Sequence, residues 1–185
     1  MTRILILVFL IPLHTFANTY NRDEWTHWLD FDGDCQNTRH ELLIATSLIE
    51  VTFTNETNCT VASGLWIGAF TGQVFTKASD VDIDHVIPLK YAHDHGGADW
   101  SPLLKRLFAN DVENLLVVDD RENQMKGAKG LSEYMPRIEY QCKYIGRWKT
   151  LSVKYGLALN LKDLKIINED IPACNNNKLN WSRFK

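Results

Sequence analysis

Apolar and polar side chains alternate through Val81, Asp82, Ile83, Asp84 and His85, and Pro88 follows after two more apolar positions. Period-two alternation is the mark of a half-buried strand and proline ends ladder pairing, so a strand is predicted over residues 81–87 with Asp84 and His85 at its end. Residues 112–118 are rich in branched apolar side chains and predict a second strand, with Asn114 the only amide inside it. Asp119 followed three residues on by Glu122 is a capping-box pattern, and Gly127 is a natural stop, which predicts a helix of one to two turns between them. Asn123 and Lys126, three apart, leave that helix from one face. One pocket could therefore receive an Asp, a His, two Asn and a Lys.

The same reading organises the remaining chain. Thr38 and Glu41 form a capping box for a helix running on through Leu42, Leu43 and Ile49, and residues 59–75, β-branched and aromatic with glycines between, suggest a hairpin. Residues 91–97 read as a loop, and Ser101-Pro102 opens a helix carrying Lys105 and Arg106. Ile138, Cys142, Ile145, Trp148 and Tyr155 recur at helical steps up to Gly156, so an amphipathic helix is predicted with Trp148 in the core, followed by a short helix over 161–167. Trp25 and Trp28 are expected to pack onto the body, and the polar tail from Asn175 to be loosely held. The result is an α+β chain, mostly helical, with no internal repeat and no low-complexity linker.

Composition narrows the class. The 185 residues, 45% of them hydrophobic, suit one domain with a real core. A formal charge of −3 excludes a polycation, so any nucleic-acid footprint must be a local basic patch. Arg3, the apolar run from Ile4 to Leu13 and the small Ala17 read as a secretory signal over residues 1–17, too short to span a bilayer comfortably; an uncleaved anchor is the alternative. The mature part, 18–185, is expected to be a monomer, soluble and exported, secreted or periplasmic. Four cysteines, Cys35, Cys59, Cys142 and Cys174, agree with export, and three pairings are open. Metal-ligand cysteines are disfavoured by the spacing.

Each polar residue of the motif has a chemical use. Mg²⁺ takes oxygen ligands and keeps several waters, so the Asp84 carboxylate and the Asn123 amide oxygen would suffice as protein ligands, with Mn²⁺ also admissible. Such an ion stabilises charge on a phosphate and on a leaving oxygen. The His85 imidazole suits removal of a proton from an attacking water. Asn114 could hold that ring, and Lys126 could contact phosphate.

Asp84-His85-Val86-Ile87-Pro88, then Asn114, then Asn123 with Lys126, resembles the motif of HNH endonucleases, the ββα-metal nucleases. The likeness extends to the secreted, cysteine-containing branch through residues 91–97, Trp100, Phe108-Ala109-Asn110-Asp111, Tyr140-Gln141-Cys142 and Trp148. The resemblance implies a ββα-metal nuclease core, a two-stranded hairpin plus helix, embedded in a mostly helical single domain. It also implies His85 as general base, Asp84 and Asn123 as metal ligands, and Asn114 as the residue that positions the base. Pairing Cys35 with Cys59 and Cys142 with Cys174 ties neighbouring segments and matches the look of the related secreted proteins. Where many HNH proteins have a final His this chain has Asn123, and it lacks the paired Cys-x-x-Cys of the zinc-bearing members, so no structural zinc is expected.

Other signals are less specific. Asp30, Asp32 and Asp34, with Gln36, Thr38 and Glu41, sit at the offsets of an EF-hand calcium loop, but Cys35 stands where that loop requires Gly. Arg39 reaches the phosphate site if the resemblance holds, and a surface salt bridge is the alternative. His93 and His95 with Asp94 could form a second metal site or could brace the loop and line the cleft, with Lys105 and Arg106 steering phosphate. Asp80 and Asp82 read as loop or outer carboxylates. Arg137, Lys143, Arg147 and Lys149 are either a solvated face or an extension of a nucleic-acid track. Asn55, Asn58 and Asn180 stand in glycosylation patterns. The expected activity is metal-dependent hydrolysis of nucleic acid, DNA before RNA, with little sequence preference. Its rivals are a noncatalytic secreted nucleic-acid-binding protein that keeps the fold and a nuclease effector or toxin.

Overall fold

A computed structural model describes residues 19–175. The leader over 1–17, the glycosylation pattern at Asn180 and the tail after Asn175 lie outside these residues. Strands β1 (Thr52–Phe53), β2 (Val61–Ile67) and β3 (Val74–Lys77) form an antiparallel sheet in that order. Strands β4 (Asp82–His85) and β5 (Leu115–Val118) form a separate antiparallel ladder, with Asp82 opposite Val118 and His85 opposite Leu115. The helices are α1 (Thr38–Thr46), α2 (Leu89–Asp94), α3 (Pro102–Ala109), α4 (Asp120–Lys126), α5 (Ile138–Tyr155) and α6 (Leu161–Asn175). None of the described helices is long and apolar enough to cross a membrane.

Strand β5 explains where the core sits. Its four residues are all buried, and because successive side chains leave a strand on opposite faces, Leu115 and Val117 enter one apolar cluster while Leu116 and Val118 enter another. The first cluster packs α1 and the three-stranded sheet against the ladder through Leu43, Val61, Trp66 and Ile83. The second gathers α2, α3, α5 and α6 around Trp25, Phe108, Tyr144 and Trp148. The ladder is thus walled on both faces, and the functional groups have only its rim.

Several boundaries move from the sequence expectation. Asn114 does not lie within a strand: residues Val112–Asn114 form a 3-10 turn and the strand begins at Leu115, because Asp111 caps that turn by accepting from Glu113 N at 3.0 Å. Residues 89–94, expected in part as loop, are helical, since Pro88 is well suited to a helix entrance. Asn37, not Thr38, caps α1 by accepting from Arg39 N and His40 N; Thr38 is buried and donates to the Leu29 carbonyl at 2.9 Å. Helix α1 stops at Thr46, and α6 runs on to Asn175 past Pro172. Asp119 does cap α4, accepting from Glu122 N at 2.9 Å, and Gly127 ends it at φ +50°. Both disulfides pair as expected, Cys35 with Cys59 and Cys142 with Cys174, the second tying α5 to α6.

Candidate active site

Ladder β4–β5 and helix α4 bring Asp84, His85 and Asn123 to one cavity of about 340 Å³, whose wall also includes Tyr20, Arg22, Pro88 and Lys90. Asp84 and His85 are neighbours on a strand and leave it on opposite faces. They reach a common cavity because among the described residues β4 has no second partner strand, so its outer edge is open to α4 and to the segment around Arg22.

The His85 ring is fixed from several sides. Its Nε2 lies 2.8 Å from the Ala109 carbonyl, which makes that nitrogen the donor and leaves Nδ1 as the acceptor. Trp28 stacks beside the ring at 6.2 Å and His27 meets it edge-on at 6.2 Å. Trp28 adopts φ +61°, a left-handed conformation that costs a bulky residue about 1–3 kcal/mol and persists only where neighbours enforce it. Asn110 supplies the enforcement: its side chain donates to the Thr26 carbonyl at 2.8 Å and accepts from Leu29 N at 3.1 Å, bracing both ends of the turn. Burial pushes the His85 pKa down to about 3, with the nearby positive charges adding to that and the Ala109 hydrogen bond opposing it. The imidazole is therefore neutral across the physiological range.

Asn114 has a different task from the one expected. Its side chain accepts from Ile87 N at 2.8 Å and donates to Ile87 O at 3.3 Å, and its own carbonyl accepts from Val86 N at 2.7 Å. It fixes the backbone leaving β4, while Ala109, not Asn114, holds the imidazole.

Lys126 is likewise corrected. It is fully buried, donates to the His85 carbonyl at 2.7 Å and meets the Asp84 Oδ2 at 2.8 Å. A side chain with no exposed surface lies beneath the cavity wall and cannot contact a phosphate in solvent; it neutralises the carboxylate from behind. Burial raises the Asp84 pKa and lowers that of Lys126, and each charge opposes the shift of the other. Asn123 donates to Asp82 Oδ2 at 3.1 Å, so Asp82 orients the amide that lines the cavity.

The other expected phosphate contacts also lie elsewhere. Lys105 is buried, paired with Glu24 at 2.6 Å and set over the Trp25 ring. Arg39 donates to the carbonyls of Ala78 and Val81 at 2.9 and 3.0 Å, tying α1 to the approach to β4, and Arg106 is exposed on α3. The cations on the cavity wall are instead Arg22 and Lys90, the latter paired with Asp94. Burial raises the pKa of the neighbouring Tyr20, and the Arg22 charge opposes that rise. Nothing in the local pattern singled these two out, because they come from a 3-10 turn (Arg22–Glu24) anchored by buried Trp25 and from a helix read as loop.

His93 is buried edge-on to Tyr20, and His95 stacks on Tyr91 at 3.8 Å with Nδ1 2.7 Å from its carbonyl, so the pair braces α2 and does not line the cavity. Among the described residues, the one convergence of three or more metal-ligating side chains is Asp30, Asp32 and Asp34, whose oxygens lie within 4.8 Å of one another. All three are exposed, and their loop is closed by Asp30 accepting from Gly33 N and Cys35 N and by Asp34 accepting from Gln36 N. Cys35 has φ +74°, the turn that a calcium loop normally gives to Gly. Burial and then the three carboxylates raise the pKa of Glu41 at the twelfth position.

Comparison with known proteins bears on the site. Residues 38–164, which include every motif residue, match the family model for the C-terminal domain of GmrSD restriction endonucleases. A protein of Arthroderma benhamiae described as an uncharacterized secreted protein is 34% identical over 159 residues, covering 84% of this chain and 76% of its own length. No solved structure matches.

Proposed function

From the membership of this chain in the GmrSD restriction endonuclease C-terminal domain family, we propose that it is a secreted, metal-dependent endonuclease of the HNH type that hydrolyses phosphodiester bonds of nucleic acid. The observation that carries the reading is the meeting of Asp84, His85 and Asn123 at one cavity. Ladder β4–β5 followed by α4 has the order of a ββα-metal core, and export is supported by the leader pattern, the two disulfides and the secreted relative.

A carboxylate and an amide on one wall, with a second carboxylate behind the amide, are hard oxygen donors suited to Mg²⁺ or Mn²⁺. Asp84 and Asn123 would hold the ion, which when bound supplies charge stabilisation to the phosphate and the leaving oxygen. His85 takes a proton from the attacking water at Nδ1, its ring held by Ala109 and walled by Trp28. Burial leaves His85 a weak base, and a phosphate beside the ring opposes that shift, since a neighbouring anion favours the protonated form. Arg22 and Lys90 on the wall pair with phosphate oxygens, and Asn114 keeps the backbone at residues 86–87 from shifting the base. DNA and RNA both fit a site that handles the phosphate.

The test is incubation of the purified mature protein with plasmid DNA and with RNA across Mg²⁺, Mn²⁺, Ca²⁺, Zn²⁺ and a chelator. Cleavage is expected with Mg²⁺ or Mn²⁺ and lost with the chelator. His85→Ala should lose about 10²–10⁴ in rate while keeping its circular dichroism; full activity in that variant rejects the assignment. The burial of His85 and the Asp84–Lys126 pair give a noncatalytic nucleic-acid-binding role its best support, and that role predicts binding without turnover in every metal.

A further inference from the structure

Helix α5 presents two unlike faces. Tyr144, Ile145, Trp148 and Leu151 are buried in the core, whereas Arg137, Tyr140, Lys143 and Arg147 recur at three- and four-residue steps on the other side. That side looks onto the outer edge of β5. Two adjoining cavities of about 390 and 320 Å³ lie there and share Lys143 and Arg147; the smaller is also lined by Glu113, whose carboxylate is paired with Lys154 at 3.0 Å. The lining of the larger is mainly apolar; residues 115–117 are buried beneath it, and Ile67, 48% exposed, is the apolar side chain open to a ligand.

The cations of this groove are free to meet a ligand. Among the described residues, Arg137, Lys143 and Arg147 have no carboxylate within ion-pair distance, in a protein whose net charge is −3. They are also positioned. Arg147 donates to the Leu115 carbonyl at 3.1 Å through one nitrogen, and Lys143 lies over the Tyr140 ring at 5.7 Å. The Arg137 guanidinium covers Gly72, where any β-carbon would collide with it. Gly146 leaves open space between Lys143 and Arg147.

We propose that this groove is an exosite for a single strand of nucleic acid, whose phosphates pair with Arg137, Lys143 and Arg147 while bases rest on the apolar floor at Ile67. The inference deepens the nuclease reading by naming how polymer, as distinct from a bare diester, is held. A row of cations alone would serve a duplex equally well. An apolar floor beside the cations selects a strand whose bases are exposed, since stacking and apolar contact with bases add to phosphate pairing only when the bases are unpaired. The groove and the catalytic cavity border opposite edges of the two-stranded ladder, so polymer held at one is a separate contact from the diester held at the other.

Two full-length mature variants test this, Lys143→Gln and Lys143→Gln/Arg147→Gln; glutamine retains a donor for the Leu115 carbonyl, and thermal melting checks the fold. Binding of a fluorescein-labelled oligothymidylate is measured across salt in a His85→Ala background, so that no turnover is needed. The slope of log affinity against log salt is expected to fall by about 0.7 for each charge removed. In the His85 protein, hydrolysis of bis(4-nitrophenyl) phosphate should be unchanged while cleavage of single-stranded DNA slows several-fold. An unchanged salt slope, an equal loss on the small diester and the polymer, stronger groove-dependent binding of duplex than of single strand, or loss confined to phosphatidylserine vesicles would each overturn the exosite. If the parent protein hydrolyses neither substrate in any metal, the nuclease reading fails, yet the binding slopes still decide the exosite.

Discussion

The lysines expected from sequence to contact phosphate and the cations along the β5 edge of the β4–β5 ladder have opposite character, while Arg22 and Lys90 stand on the β4-side cavity wall. Lys126 of α4 and Lys105 of α3 are both buried and paired with carboxylates of the protein itself. On the β5 side Arg137, Lys143 and Arg147 face open cavities with no acidic partner among the described residues. A lysine within the motif is thus no guide to where an anion binds. The interior of a site needs its own charges balanced before a ligand arrives, because an unpaired buried carboxylate is costly, and the nearest lysines are taken for that purpose.

The comparison breaks most visibly at Lys126. Replacing it by Met should cost about 3–5 kcal/mol in urea denaturation, since Asp84 would be left buried without its counter-charge. A variant that remained stable but lost DNA affinity would return Lys126 to the phosphate contacts. Acid comes next. The His85 pKa is about 3 in the folded protein against about 6.5 in the unfolded chain. Between those values the unfolded state binds more protons, so the stability tied to a neutral ring is complete above about pH 6.5 and is lost as the pH falls toward 3. Melting temperature in chelator should decline through that window, and less steeply in His85→Asn. The smallest effect belongs to Arg22→Gln, an exposed residue on the cavity wall: a KM for DNA raised a few-fold with kcat nearly kept, and a salt slope reduced by about 0.9. A fall in kcat with KM unchanged would move Arg22 from holding substrate to acting in the transition state.

Much of the fold was legible along the chain because its signals are local. Alternation through residues 81–85, the Asp119 cap with Gly127, and the helical spacing from Ile138 to Tyr155 each depend on residues within a few positions of one another, and all three elements form, the strand shortened to Asp82–His85. Asn114 shows where local reading stops. Its apolar neighbours suggested a strand, but the Asp111 cap turned it into the end of a 3-10 turn, and its amide serves Ile87 instead of the imidazole.

Sequence by itself determined the inventory and its order: a carboxylate and an imidazole at one strand end, an amide on a following short helix, four cysteines and a local pattern strong enough to place the ladder and α4. Tertiary structure alone decided which charges are available. Burial and ion pairing depend on segments far apart in the chain, Asp84 with Lys126, Glu24 with Lys105, Ala109 with His85, and the free energy of a charge is set by the solvent and counter-charges around it, which no spacing of residues encodes.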